Sequence, residues 1–289
     1  MIKKAVIPAA GLGTRLLPIT KELPKEMLPL FSNSGREGFC VKPMLQLIFE
    51  QLYYAGFREF CFIVGRGKRA IEDHFTPDWD FVDYLEENKK SDLMHQLEVF
   101  YRMINDSTII FINQPKPKGF GDAVLKARAF TDNENFLVHA GDNLILSNSH
   151  NPVEKLINIF DELNADAVFF VERRENSSMY GVIEGVQISK DIYKVKRIVE
   201  KPKVPPSNIA TIAVYVFRPT IYRQIESVNL GEGNELQLTD AIQELIIQGG
   251  NVYALELKKE KRLDIGTSKN YWNALKTTYK FKTNKTHFS

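Results

Sequence analysis

The stretch KAVIPAAGLGTRLLPITKELPKEMLPLF, residues 4–31, decides how the chain is to be read. It opens with Lys4–Ala9, a run of strand length that is apolar at nearly every position, as a strand covered on both faces has to be. The run gives way at once to Ala10-Gly11-Leu12-Gly13-Thr14-Arg15. Glycines here let the backbone approach a phosphate and aim several N–H groups at it. Arg15 adds a planar charge suited to phosphate oxygens. The next segment carries Pro18, Pro24 and Pro29 together with Lys21 and Lys25, and has little helical or strand character. Prolines stiffen a loop and reduce the entropy lost in holding a ligand. A stiff basic loop behind a glycine turn can wrap a triphosphate.

Two common phosphate-binding patterns fail on residues. A dinucleotide fingerprint needs a third glycine where Leu16 stands, and a P-loop needs a G-K-S/T ending that occurs nowhere in the chain. Taken alone, the turn is equally a tight strand exit with no ligand.

Around this stretch lie 289 residues, 44% hydrophobic and 26% charged, enough to bury a substantial core. Lys and Arg number 38 against 36 Asp and Glu, a formal net charge of +2. That balance gives no electrostatic reason to expect a nucleic acid or a membrane as partner, so any anion site has to be built locally. Cys40 and Cys61 read as reduced thiols, since a chain of this size needs no disulfide staple. The N-terminus lacks the apolar core of a signal peptide, and no run approaches the ~20 residues of a membrane span. A soluble, cytoplasmic protein is expected.

Strand-like runs alternate with helical periodicity. Glu59–Val64, Thr108–Asn113, Asn135–His139 and Asp166–Val171 read as buried strands. Residues 43–57 place Leu45, Ile48, Phe49 and Leu52 on one helical face and stop at Gly56. Helices are also expected over Lys68–Phe75, Phe81–Met103, Gly121–Phe130 and Pro152–Leu163, the last capped by Asn151. The alternation predicts an α/β fold with a mostly parallel sheet and helices on both faces. After Glu172 the texture shifts to shorter β segments, Tyr180–Ile188, Tyr193–Glu200 and Ile209–Phe217, followed by helices near Thr239–Gln248 and Ser268–Lys280. The tail from Thr283 is polar and expected to fray.

The combined motif of residues 9–31, G-x-G-T-R, then P-x-T-K, then P-K-E-M-L-P, resembles the signature of the sugar nucleotidyltransferases, in particular their bacterial uridylyltransferase branch. Further matches are Lys118–Val124, Tyr180-Gly181-Val182, Val199-Glu200-Lys201-Pro202 and Glu235–Asp240, so the resemblance runs through nearly the whole chain. It implies a Rossmann-like nucleotidyltransferase fold with a small β-rich elaboration on the main sheet. It also implies one domain over 1–289, with a nucleotide-binding half (1–172), a sugar-phosphate part (173–267) and a C-terminal helix and tail (268–289). The activity implied is transfer of a uridylyl group from UTP to glucose 1-phosphate with Mg²⁺, in a homo-oligomer, dimer or tetramer.

The resemblance assigns roles residue by residue. Arg15 and Lys25 would hold the departing phosphates, and Lys201 would align the attacking one. Ala10, Gly11, Gly13 and Thr14 would hold the nucleotide, while Gln114 and Gly119 meet the base edge. Tyr180, Gly181, Glu200 and Asn143 would hold the sugar. Asp142 and Asp264 would bind the metal. Without the family, Asp142 past a strand end stands where ligands bind in open α/β sheets, yet both aspartates could equally be turn residues. Lys201 alone would read as a solvated charge and Gln114 as a polar strand end. His139 reads as a buried strand-end histidine rather than a metal ligand, and the other histidines form no metal spacing.

Three departures from the branch's pattern stand out. Ser32–Val41 is an insertion that reads as a polar surface loop, and equally as a lid or an interface. Gly141-Asp142-Asn143 looks more like the thymidylyltransferases. Asn234-Glu235 and Leu263-Asp264-Ile265 also depart from the usual residues. These leave dTTP open beside UTP, because a base methyl is worth only ~1–3 kcal/mol in an apolar pocket. A non-catalytic nucleotide-sugar sensor is the remaining alternative. It would have lost Arg15, Lys25, Asp142 or Lys201, and all four are present.

Overall fold

The computed structural model describes residues 2–33, 38–148 and 150–286, with side chains as far as Phe281. In chain order the first elements are β1 (Lys4–Pro8), β2 (Pro29–Asn33), β3 (Phe39–Pro43), α1 (Met44–Tyr54), β4 (Glu59–Val64), α2 (Arg69–His74), α3 (Trp79–Glu87), α4 (Ser91–Asn105) and β5 (Thr108–Asn113). Next come α5 (Phe120–Lys126), α6 (Arg128–Thr131), β6 (Phe136–His139), β7 (Asn143–Leu146), α7 (Pro152–Glu162), β8 (Ala167–Arg173), β9 (Gly181–Gln187), β10 (Ile192–Glu200) and β11 (Ile209–Phe217). The chain ends with α8 (Ile221–Ser227), α9 (Leu238–Ile247), β12 (Val252–Glu256), β13 (Lys261–Asp264) and α10 (Ser268–Thr286).

Nine strands form one sheet in the order β5-β4-β1-β6-β11-β8-β12-β10-β9. The first four run parallel, as do β8 and β12. The C-terminal β segments supply the antiparallel pairings: β11 slots between β6 and β8, and β10 lies between β12 and β9. A bulge between Val195 and Arg197 bends the β9–β10 hairpin, and Val182 of β9 pairs with Ala210 of β11. Bulges increase local twist and re-aim side chains. Beyond it Glu200 pairs with Gly181, one residue from the Val182–Ala210 pairing near the start of β11.

Side-chain alternation builds a core on each face of the sheet. In β1, Ala5 and Ile7 enter one core and Val6 the other; in β8, Val168 and Phe170 oppose Phe169 and Val171. One core is closed by α1, α7 and α10, the other by α5, α8 and α9. Full burial of each such side chain stabilises by ~1.5–3 kcal/mol, so a two-faced sheet gathers its stability from both layers. In α1 the expected face of Leu45, Ile48, Phe49 and Leu52 is buried, and Gly56, at φ +93°, ends the turn that follows. Asn151 caps α7 as its sequence position suggested, its side chain accepting from the Val153 N–H at 3.2 Å.

Some local expectations change. The helical stretch 81–103 is two helices, α3 and α4, broken where Lys89 turns left-handed at φ +56°. Gly121–Phe130 likewise splits into α5 and α6. The insertion read as a loop is in part a β-hairpin: Ser32 and Asn33 pair with Cys40 and Phe39 across β2 and β3. Residues 34–37, at the middle of that insertion, lie outside the described residues, as do 287–289 of the tail, whereas the backbone of α10 continues through Thr286. Two cysteines stand on separate sheets, Cys40 in β3 and Cys61 buried in β4. Among the described residues, no helix is long and apolar enough to cross a membrane.

Candidate active site

The loops that leave β1, β4, β5 and β6 meet at the carboxyl ends of the parallel strands, where open α/β sheets bind ligands. Those from β1, β5 and β6 line a cleft of about 340 Å³ with Ala10, Gly11, Gly13, Thr14, Gln114 and Gly119, and with Lys25 and Asp142 beside them. Thr20 steadies the glycine turn by donating its hydroxyl to the Gly13 carbonyl at 2.8 Å. Gln114 is 5% exposed, and its amide nitrogen donates to Asp122 at 2.7 Å, which leaves the amide oxygen for a partner in the cleft. Gly119 has φ +111°, and a Cβ there would fall 2.6 Å from the Leu236 carbonyl. Only glycine fits that turn.

Lys25 comes from a 3-10 turn, Lys25–Met27, set between Pro24 and Pro29. Its ammonium lies 2.5 Å from Asp142 Oδ2. Burial alone would raise the Asp142 pKa, but the Lys25 charge, its hydrogen bond and one from Asn143 hold it down at about 2. Burial likewise works against the Lys25 charge, and the Asp142 and Glu26 carboxylates outweigh it, so its pKa is raised. Both groups are therefore charged at neutral pH.

The second carboxylate, Asp264, ends β13, which pairs antiparallel with β7 so that Asp264 faces Asn143. The Ile265 N–H donates to the Asp142 carbonyl at 3.4 Å, which brings the two aspartates onto one edge of this small ribbon. The Cβ that Gly266 lacks would lie 3.0 Å from Asp264 Oδ1 and 3.1 Å from Arg15 Nη2, so Arg15 reaches the same place from the glycine loop. His139 is fully buried, its Nδ1 facing the Ala140 carbonyl at 3.0 Å, and burial lowers its pKa to about 4.

A second pocket of about 170 Å³ adjoins the first through Phe120. Tyr180, Gly181, Glu200, Thr211, Thr239 and Arg262 line it. A Cβ on Gly181 would strike Thr211 Oγ1 and Thr239 Cγ2 at 2.8 Å, so the backbone there is packed as closely as a missing side chain allows. Thr239 donates to Glu200 Oε2 at 2.9 Å, and the Lys201 ammonium lies 3.4 Å from Oε1. Lys201 is exposed and lines neither pocket; its φ of +39° is a left-handed backbone for a side-chain-bearing residue, of the kind that gathers at ligand sites.

One residue of the second pocket was not foreseen. Arg262, with a side chain only 5% exposed, donates to Asn143 Oδ1 at 2.5 Å, to Glu172 Oε1 at 2.9 Å and to Asp264 Oδ2 at 3.2 Å. Its guanidinium also lies 5.3 Å from the Tyr180 ring centroid, and Arg174 lies 4.8 Å from the same centroid. The signal was its place two residues before Asp264: alternate strand residues share a face.

The nucleotidyl transferase family model matches residues 4–280. The chain belongs to that family. As a nucleotidyltransferase it is similar along nearly its whole length to proteins named UTP–glucose-1-phosphate uridylyltransferase. One, from Staphylococcus haemolyticus, is 37% identical over 97% of this chain and 92% of its own. Another, from Pseudomonas aeruginosa, is 36% identical over 99% of this chain and all of its own. A solved UDP-glucose pyrophosphorylase complexed with UDP-glucose matches this nucleotidyltransferase with a TM-score of 0.83 at 32% identity, over 97% of this chain and 99% of the other.

Proposed function

We propose that this nucleotidyltransferase joins UTP to glucose 1-phosphate, giving UDP-glucose and pyrophosphate, the substrates named for its relatives. The observation that carries the reading is the adjacency of two pockets at Phe120, one with the glycine turn, Lys25 and Asp142, the other with Gly181, Glu200 and Tyr180.

In this reading the main chain of Ala10, Gly11, Gly13 and Thr14 cradles the nucleotide, with Gln114 and Gly119 at the uracil edge. Tyr180, Gly181, Glu200 and Asn143 hold the glucose. The sugar phosphate is already largely ionised, since the second pKa of a phosphate monoester is about 6, so no general base is needed. Its oxygen forms a bond to the α-phosphorus of UTP. The bond from that phosphorus to the β-bridging oxygen breaks, and the electron pair leaves with pyrophosphate. The task left to the protein is to bring two polyanions together and neutralise charge as it moves. Lys25 and Arg15 serve the departing phosphates, and Lys201 the incoming one.

Asp142 and Asp264 fit Mg²⁺. Asp142 is held ionised, and the Ile265 N–H on its carbonyl keeps Asp264 close by along the chain. A site of two carboxylates completed by phosphate oxygens and water suits this hard cation. Bound there, Mg²⁺ would withdraw negative charge from the α- and β-phosphate oxygens.

The test is pyrophosphate release with glucose 1-phosphate and Mg²⁺, comparing UTP, dTTP, ATP, CTP and GTP. The reading expects strong release with UTP, and none with EDTA until Mg²⁺ is restored. Release with dTTP alone would transfer the reading to a thymidylyltransferase. Silence with every nucleotide would overturn it.

A further inference from the structure

Glu26 is an acid in a place that calls for cations. It lines the cleft beside Lys25 and is 1% exposed. A carboxylate there is doubly unfavourable, because it is removed from water and faces phosphates of its own sign. Burial pushes the Glu26 pKa up, and a cation from another loop offsets part of that penalty. Lys68 follows β4, is 5% exposed, and sets its ammonium 2.8 Å from Glu26 Oε2. The stem of Glu26 is wedged at the third loop as well: the Cβ that Gly141 lacks would fall 3.2 Å from Glu26 Cγ, one residue before Asp142. Three loops, leaving β1, β4 and β6, thus converge on one carboxylate. The 3-10 turn that carries Glu26 also carries Lys25.

We propose that Lys68 is a positioning residue for nucleotide binding: it draws the Glu26 carboxylate to itself and so weakens that carboxylate's competition with the phosphates for Lys25. The proposal rests on the reading that this cleft takes the triphosphate. Remove the Lys68 charge, and Lys25 is divided between Glu26, Asp142 and the nucleotide. The defect falls on UTP and not on glucose 1-phosphate, whose pocket lies on the far side of Phe120.

Three variants test this: Lys68→Met, which keeps an apolar stem of similar length, Glu26→Gln, and the two combined. Steady-state pyrophosphate release gives KM for each substrate with the other saturating, and circular dichroism establishes that each variant is folded. Lys68→Met is expected to raise KM for UTP about tenfold or more while KM for glucose 1-phosphate moves less than about threefold. Adding Glu26→Gln should recover most of that loss, because a neutral pair leaves no uncompensated charge. A folded Lys68→Met protein with KM for UTP within about twofold of the parent overturns the proposal. So does a double variant as impaired as the single one. Should Lys68→Met fail to fold, the double variant decides: KM for UTP within about threefold of the parent supports the proposal, and a rise of about tenfold or more sinks it. Lys25→Ala separates this from the underlying reading. If that variant binds and turns over UTP like the parent, the cleft is not the phosphate site, whatever Lys68 does.

Discussion

Arg262 ties the β7–β13 ribbon to the second pocket, and its loss is expected to do more than remove a charge. The three acceptors it serves, Asn143, Glu172 and Asp264, belong to three different segments. Arg262→Met would take the cation from Asp264 and leave Glu172 to Arg174 alone, at 2.7 Å; the loss should fall below the ~3–5 kcal/mol of a fully buried broken pair, at about 1–3 kcal/mol, to be read from urea unfolding. Arg262→Lys should lose the forked geometry and with it activity, while stability falls less. Gly181→Ala has a narrower target. The new methyl meets Thr211 and Thr239 at 2.8 Å and presses toward Glu200. KM for glucose 1-phosphate should rise by about tenfold or more, with KM for UTP nearly unmoved. Lys201→Ala should lower turnover by roughly 10²–10³-fold. A pH effect follows from His139 and His74, which burial lowers to about 4 from an ordinary 6.5. Below 6.5 the unfolded chain takes up protons that the fold refuses. Stability is therefore intact above 6.5 and falls as pH drops toward 4, by at most about 1.4 kcal/mol per unit for each histidine. Unfolding free energies measured from pH 7 to 4.5 should show this slope, and His139→Leu should flatten it by about one proton.

Among the elements, α7 shows how a single side chain can set both a start and an orientation. Asn151 caps the helix through Val153 and also donates its amide to the Gln51 carbonyl of α1 at 2.7 Å. Asn151→Ala should cost about 1–2 kcal/mol by thermal unfolding, at the upper end for a cap because it also loses the bridge. That cap was legible in the sequence, as were β1, α1, β4 and β5, since each is a local pattern of period or punctuation. The β7–β13 ribbon was not. Asn143–Leu146 and Lys261–Asp264 are short, and they become strands only because each pairs with a segment more than a hundred residues away. Arg262 escaped for the same reason: its function is to satisfy partners that no local spacing reveals. The glycine turn was legible as a tight strand exit, and the structure sets it in the wall of the cleft. Lys201 could be assigned only by resemblance, since its neighbourhood is assembled by the bend in β10.

At the scale of the whole molecule, residues 1–172 do not own a finished sheet. Strand β11, from the second half, lies between β6 and β8 of the first, and β12 covers the other side of β8. A fragment of residues 1–172 should therefore fail to fold cooperatively, giving broad melting and rapid proteolysis, although its sequence holds the entire glycine loop. A fragment with a sharp transition would show instead that the boundary at 172 separates independent units. The same insertion also imposes a schedule on synthesis. On the ribosome, His139 emerges seventy residues before Ile209. At ~5–20 residues per second, the edge of β6 waits roughly 4–14 s for the strand that will cover it. During that interval the nascent chain displays an unpaired, strongly apolar strand border, the kind of surface that invites association between neighbouring chains. Slowed translation across residues 140–209, or a shortage of chaperones, should therefore lower the yield of soluble enzyme without altering a single contact in the molecules that do complete.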